Sequence, residues 1–409
     1  MRRVAVTGIG VVSPVGNDPD AFFDALAAGR SGVARIEAPY GARLASPVAA
    51  AARFDGAAHF DAAKLRMLDR VSQFALAAAA QAIADAKGFL DGIDRARAGV
   101  FVGTGMGGAQ AADDGYHALY AEDSGRLKPF TVLLSMANAP AAWIGLEHGF
   151  SGPNLTYSTA CSSSAVAIGE AARRIAHGEA DAMLAGGAEA PLNFGTLKAW
   201  EALRTLAAED PDDPAASCKP FARNRSGLVL GEGAAILVLE DRDRALSRGA
   251  RIRAEIAGYG LCTDAAHITR PSIDGQANAM RLALEDARMD ASGIGYLNAH
   301  GTGTLANDGV ETAAIKRVFG ERAYRLPVSS TKSMHGHLLG AAGALELAAA
   351  ILAMEHGVVP PTANLKLGDP ECDLDYVSEG ARAVPGLSAV LSNSFAFGGT
   401  NAALVARAA

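Results

Sequence analysis

The sequence predicts an α/β protein whose helices cover a mostly parallel sheet. Short apolar runs at residues 4–7, 98–103, 180–190, 233–240 and 253–260 alternate with helical patterns of ten or more residues, the signature of a covered sheet. Half of the 409 residues are hydrophobic but only 6% are aromatic, and 46 are glycine, a composition that lets helices lie close on strands. The second half also repeats motifs of the first. Gly258-Tyr259-Gly260 follows its strand as Gly8-Ile9-Gly10 follows the first, and residues 295–302 deliver a histidine in the place where the first half delivers Cys161. If the repeat is real, two halves pack face to face and corresponding strand ends converge on one site.

In chain order, residues 4–7 form a buried strand and residues 8–16 the loop leaving it. A short helix at 20–28 ends at Gly29, residues 38–63 make a surface excursion, and residues 69–86 form an alanine-rich helix. The strand at 98–103 runs into Gly103-Thr104-Gly105-Met106-Gly107-Gly108. This satisfies G-x-G-x-x-G, but a dinucleotide fingerprint should open the first βαβ unit and supply an acidic ribose ligand some 20 residues later. Glycines that let backbone approach a thiol or an acyl chain account for it equally well. Further on, 209–220 is a polar loop, 275–289 and 344–356 are helices, and residues 1–250 and 251–409 form the two halves.

A net charge of −7 argues against a nucleic-acid binder. No segment reads as a membrane span, and Met1-Arg2-Arg3 leads directly into a strand, so a soluble, cytoplasmic chain is expected. Cys161, Cys218, Cys262 and Cys372 lack the close spacing of a disulfide framework, as expected of reduced thiols.

Cys161 stands where a β-favouring run meets a helix, in Leu155-Thr156-Tyr157-Ser158-Thr159-Ala160-Cys161-Ser162-Ser163-Ser164-Ala165. The free N–H groups and positive end of that helix favour thiolate, although a lone cysteine is as often a buried, inert one. His300 lies at a strand end in Asn298-Ala299-His300-Gly301-Thr302-Gly303-Thr304, and His337 opens a helix after Ser330-Thr331-Lys332-Ser333. One thiol and two histidines in strand-end loops form a plausible set for acyl transfer through a thioester. Zinc is the rival use, but close ligand spacing is absent except for His335 and His337, so no metal is expected.

These blocks, with Gly336-His337-Leu338-Leu339-Gly340-Ala341-Ala342-Gly343 and Asn393-Ser394-Phe395-Ala396-Phe397-Gly398-Gly399-Thr400-Asn401, resemble the elongating β-ketoacyl-acyl-carrier-protein synthases over residues 4–405, all in family order. The resemblance implies a thiolase-like fold, two pseudo-repeated βα halves in a layered α-β-α-β-α core, and a dimer. It implies a decarboxylating Claisen condensation of an acyl chain on Cys161 with malonyl-carrier protein, with His300 and His337 assisting decarboxylation. The backbone N–H groups of Cys161 and Phe397 would hold the acyl oxyanion.

Lys332 matches the family lysine, and Asp308 and Glu346 its buried acidic partners, read as a charge network that orients His337. Thr302 and Thr304 would bond the pantetheine arm, Phe395 and Phe397 would gate the acyl pocket, and Met106 would line it. Ala396 replaces the family's usual glycine between the two phenylalanines, and His335 is read as peripheral. Lys64, Arg66, Arg126, Lys128 and Arg204, with Trp200 beside Arg204, match positions near the pantetheine entrance and would dock an acidic acyl carrier protein. Scattered solvated charge explains them as well. No cofactor is implied beyond the carrier's 4'-phosphopantetheine. The serines after Cys161 and Thr302-Gly303-Thr304-Leu305-Ala306-Asn307-Asp308 look more like polyketide ketosynthases. Fatty acid synthesis as a homodimer therefore stands beside a type II polyketide or aryl polyene pathway, in which the active chain pairs with a chain-length factor. A non-condensing chain-length factor would typically lack the cysteine, and a coenzyme A thiolase would carry a second catalytic cysteine in place of His337.

Overall fold

A computed structural model describes all 409 residues. Ten strands form its main sheet: β1 (Val4–Val12), β2 (Ala98–Gly103), β3 (Asn154–Tyr157), β4 (Ala182–Glu189), β5 (Gly233–Asp241), β6 (Ala254–Thr263), β7 (Tyr296–Asn298), β8 (Val328–Ser329), β9 (Ala389–Phe395) and β10 (Thr400–Arg407). The helices that position the site are α1 (Arg70–Asp85), α2 (Ala139–His148), α3 (Ser163–Ala176), α4 (Phe194–Ala202), α5 (Ile273–Ala287), α6 (Asp308–Phe319) and α7 (Ala342–His356).

The strands run in the order β8-β7-β9-β10-β6-β1-β5-β4-β2-β3. Read outward from the central β6–β1 pair, each half has the same order, with every strand of the second half matching the strand five earlier. The halves therefore meet through β1 and β6, which pair over only three residues (Val4 with Ile256 to Val6 with Ala254). Three apolar clusters give the layers. One joins α1 and α2 to one face of the first half's strands, and another joins α5 and α6 to the second half's. The third encloses α3 and α7 between the two inner faces. That is the expected α-β-α-β-α stack. Both central helices are buried, and the Ser164 hydroxyl accepts from the Ala344 amide at 2.9 Å where their first turns meet.

Two expectations need correction. The sheet is mixed, with parallel pairs only in the outer parts (β2–β3, β2–β4, β7–β8, β7–β9) and antiparallel pairs in the middle. Parallel neighbours require long crossovers, which the helices supply at the outer positions only. In addition, residues 8–12 are not a loop, because β1 continues to Val12 with a register shift between Val6 and Gly8. The glycines there admit a helix: a Cβ on Gly10 would lie 1.9 Å from the Ala78 carbonyl of α1, and one on Gly260 2.1 Å from the Ala279 carbonyl of α5. The repeat extends to polar detail. The Ile9 amide donates to Asp85 of α1, and the Tyr259 amide to Asp286 of α5, each at 2.9 Å. Gly10→Ala is expected to lower stability by about 2–3 kcal/mol through this overlap, measured by denaturant unfolding. A wild-type midpoint would contradict the close approach.

Residues 38–63 are not a detached excursion either. Val48–Ala50 pairs with Val33–Arg35, and the Ala50 amide donates to the Leu230 carbonyl at 2.8 Å, backing the segment that holds His337. The segment Leu339–His356 is long and apolar enough to cross a membrane, but 89% of it is buried inside the protein.

Candidate active site

The site forms where β3, β7, β8 and β9 end at one edge of the layers. β3 ends at Tyr157, and after a short turn in which Ala160 takes φ +50° the chain enters a 3-10 turn at Ala160–Ser162 and then α3. Serines hold this turn: Ser163 donates to the Ala160 carbonyl at 2.6 Å, and the Thr159 amide donates back to Ser163 at 2.9 Å. Gly103 at the end of β2 leaves room for it, since a Cβ there would sit 2.2 Å from the Ser164 nitrogen. The G-x-G-x-x-G run thus begins with a glycine that accommodates the Cys161 helix.

The expected repeat misplaced one correspondence. By strand order β3, which delivers Cys161, matches β8, which delivers Lys332 and His337. β7, which delivers His300, matches β2 and its glycine loop. Cys161 and His337 are therefore the pseudo-equivalent pair, each leading into a central helix.

Cys161, His300 and His337 are buried, and Sγ and the ring nitrogens come within 4.8 Å of one another. The two imidazoles are nearly perpendicular, with centroids 5.4 Å apart. They open onto a cleft lined also by Trp200, Arg270, Thr302, Thr304, Phe395 and Phe397. Trp200 stacks on Phe397 at 5.9 Å. The 396–399 turn is tied across the cleft, the Gly398 amide donating to the Ile268 carbonyl at 2.7 Å.

Burial pushes the Cys161 thiol up to about 11, against the pull of the Lys332 ammonium and the Phe397 amide, which bonds the sulfur. The expectation that the helix end favours thiolate is thus outweighed by desolvation, and the resting group is a thiol. Its thiolate fraction at neutral pH is on the order of 10⁻⁴. Alkylation of Cys161 by iodoacetamide is accordingly expected to accelerate about tenfold per pH unit from 7 to 9. A rate already level at pH 7 would contradict this.

Burial, reinforced by the Lys332 ammonium, holds both His300 and His337 well below the usual imidazole range, so both are neutral. Their tautomers follow from their neighbours. The Leu339 amide donates to His337 Nδ1 at 3.2 Å, and Lys332 Nζ lies 3.4 Å from His300 Nδ1 and donates to the His300 carbonyl at 2.6 Å. Each ring therefore carries its proton on Nε2, and His337 Nε2 is buried without a partner. Two neutral N–H donors facing one small space can stabilise a developing enolate oxygen.

Lys332 and Glu346 form a fully buried ion pair, and burial raises the Glu346 carboxyl to about 7 despite Lys332. This pair supports His300 rather than His337. The His337 backbone is fixed instead by its N–H, which donates to the Val229 carbonyl at 2.7 Å, and by its carbonyl, which accepts from the Gly231 amide at 2.9 Å. Asp308 is not a partner of Lys332. It accepts from the amides of Phe221 (2.8 Å) and Thr302 (3.1 Å) and lies 3.8 Å from Arg225, so it shapes the Thr302–Thr304 loop. The two threonine hydroxyls bond each other at 2.9 Å on the cleft wall. Met106 does not line the cleft. It is 42% exposed, its amide held by Glu189 at 2.9 Å. His335 is not peripheral but fully buried, bonded to Thr331 Oγ1 at 2.9 Å.

None of the five basic docking candidates lines the cleft. Lys64 pairs with Glu147 of α2, while Arg66, Arg126, Lys128 and Arg204 are exposed. Arg270 is the basic residue on the cleft wall, unmarked by any motif.

Two buried carboxylates escaped the sequence reading. Glu311 accepts from the amides of His300 (2.8 Å) and Gly301 (2.7 Å) and from the side chains of Asn307 and Asn393 (3.2 Å each). Glu189 accepts from Thr104 Oγ1 and from the amides of Gly105, Met106 and Gly340, binding the glycine loop to the turn after His337. Asp308 and Glu311 sit three residues apart on α6, so the helical period alone offered the right face but not the right acid.

A buried cysteine at the head of a buried helix, two neutral imidazoles beside it and a two-fold repeated layered core fit a thiolase-like acyltransferase. The chain belongs to the β-ketoacyl synthase family: the profile of its N-terminal domain matches residues 1–245 and that of its C-terminal domain residues 253–366. The actinorhodin polyketide putative beta-ketoacyl synthase 1 of Streptomyces coelicolor is 45% identical over 421 residues, covering 99% of this chain and 88% of that protein. The 3-oxoacyl-[acyl-carrier-protein] synthase 2 of Coxiella burnetii is 42% identical over 410 residues, covering 99% and 98%. A solved type II polyketide acyl-carrier protein in complex with its ketosynthase bound to the hexaketide matches at TM-score 0.92 and 34% identity, covering 100% of both chains.

Proposed function

We propose that this chain is a β-ketoacyl-acyl-carrier-protein synthase acting in the cytoplasm on substrates carried by an acyl carrier protein. The convergence of Cys161, His300 and His337 within 4.8 Å carries the reading. In the first half-reaction Cys161 Sγ attacks the acyl thioester, its proton goes to the departing pantetheine sulfur, and the acyl group stays on Cys161. In the second, the carboxylate of malonyl-carrier protein leaves as CO2, and its electron pair forms an enolate whose oxygen accepts from the two Nε2–H groups. The α-carbon attacks acyl-Cys161, and the tetrahedral oxyanion is held by the amides of Cys161 and Phe397. Collapse breaks the C–Sγ bond, and the released thiolate takes up one proton from solvent to restore the resting thiol. No metal or nucleotide enters these steps.

A dimer fits the exposed apolar face. β3 is an edge strand whose Leu155 is 46% exposed, and Phe130 (49%), Val132 (71%), Leu133 (52%) and Leu146 (73%) are uncovered in the single chain. Such a face calls for a partner. Met106 is exposed as well, so its expected place in an acyl pocket is completed from the second chain.

Fatty acid synthesis as a homodimer is the first form of this reading. A type II polyketide or aryl polyene ketosynthase paired with a chain-length factor is the second, favoured by the 45% identity to the actinorhodin synthase. Purified chain supplied with acyl- and malonyl-carrier proteins is expected to yield β-ketoacyl-carrier protein. One extension by the chain alone supports the first form, and activity only with a co-expressed homologue supports the second. Absence of product in both preparations would overturn the reading.

A further inference from the structure

The Cys161–His300–His337 cluster has the dimensions of a three-ligand zinc site: one sulfur and two imidazoles, buried, with ligand atoms within 4.8 Å of one another. A cytoplasmic enzyme with such a cluster risks capture of a divalent metal on its nucleophile. Metal-bound histidines almost always donate their second ring N–H to a carboxylate, carbonyl or water, which leaves the other nitrogen free to ligate. Here the second nitrogens meet the opposite. His337 Nδ1 faces the Leu339 N–H at 3.2 Å, and His300 Nδ1 faces the Lys332 ammonium at 3.4 Å.

We infer that Lys332 and the Leu339 amide exclude divalent transition metals from the active site, by holding Nδ1 of each catalytic histidine as an acceptor so that Nε2 keeps its proton. Metal capture would require each ring to move that proton from Nε2 to Nδ1. There it would meet the Leu339 N–H in one ring and a cation in the other, while the metal displaced the Cys161 thiol proton. Neither donor can turn away. Leu339 takes φ +44° in a turn whose next amide, Gly340, is held by Glu189 at 2.8 Å. Lys332 is fully buried, donating to the His300 carbonyl at 2.6 Å and paired with Glu346. The ammonium adds direct repulsion of any cation within the cluster. Lys332 is thus a positioning residue with a selectivity role: it leaves the thiol and imidazoles available to a thioester and unavailable to zinc.

This inference rests on the geometry of the three side chains and not on which acyl chain the enzyme extends, so acyl-loading assays and metal assays can fail separately. The test adds Zn2+ to the full-length protein and follows protection of Cys161 from iodoacetamide by peptide mass, with Co2+ thiolate absorption as a second reading. Wild type is expected to show neither protection nor the absorption band at equimolar metal. Lys332→Met is expected to bind Zn2+ roughly 10–100-fold more tightly, the size of effect that partners of ligating histidines exert. Histidine-selective ¹⁵N spectra of wild type are expected to place the proton of both His300 and His337 on Nε2, which decides the matter even where Lys332→Met does not fold. Stoichiometric Zn2+ protection of wild type, an Nδ1–H tautomer in either ring, or a folded Lys332→Met with unchanged zinc affinity would overturn the inference.

Discussion

Cys161→Ala is expected to abolish the acyl-enzyme and to lower condensation by on the order of 10³-fold or more, while malonyl-carrier protein is still decarboxylated. The separation follows from the geometry. The sulfur is the only group in the cluster that can carry the acyl chain, whereas the enolate is stabilised by two Nε2–H donors held by Lys332 and the Leu339 amide without help from the sulfur. Removing Sγ leaves both donors in place. CO2 release measured beside β-ketoacyl product reports the two activities separately. Loss of decarboxylation in Cys161→Ala to the level of His300→Ala would mean that the cysteine and the histidines work as one unit.

The second large effect is expected at Glu311, which no motif marks. Its carboxylate receives four donors, two of them the backbone amides of His300 and Gly301, with nothing exposed to water. Glu311→Ala strands these amides and frees a backbone turn in which Gly301 takes φ +35°. Buried amides left unpaired cost about 1–3 kcal/mol each, so a loss of roughly 3–5 kcal/mol in stability is expected. Displacing His300 Nε2–H should also reduce decarboxylation by about 10²-fold, as misplacement of a reacting group does. Burial raises the Glu311 carboxyl above its usual range, while the same amides pull it down. Glu311→Gln keeps the shape but turns one acceptor into a donor facing an N–H. It should therefore restore much of the stability without restoring decarboxylation. If Glu311→Gln recovered both equally, the residue would be structural only.

The convergence of Cys161, His300 and His337 was legible because each stands at a strand end beside glycines and hydroxyls, a pattern that survives in one dimension. The paired glycines of β1 and β6 likewise revealed the repeat, because both answer to the same helix contact. What was not legible acts through backbone or through space. Glu189 and Glu311 bind amides of loops that periodicity does not place near them, and Asp308, expected as a partner of Lys332, accepts instead from the amides of Phe221 and Thr302. The correspondence of Cys161 with His337, rather than His300, is a property of strand order, which local sequence does not encode. Burial of the thiol involves Phe397, which comes from the other end of the chain, bonds the sulfur through its amide and stacks on Trp200. Met106 was assigned to a pocket wall, but it is 42% exposed and lies away from the cleft.

The most direct test is intact mass of the protein after mixing with acyl-carrier protein and then with malonyl-carrier protein, in wild type and Cys161→Ala. The expected result is a single acyl adduct on wild type alone, mapped to Cys161 and discharged as β-ketoacyl-carrier protein when malonyl-carrier protein is added. An adduct that persists in Cys161→Ala, or wild type that stays unacylated even with a partner chain co-expressed, would contradict Cys161 as the acyl carrier and with it the function proposed for this site.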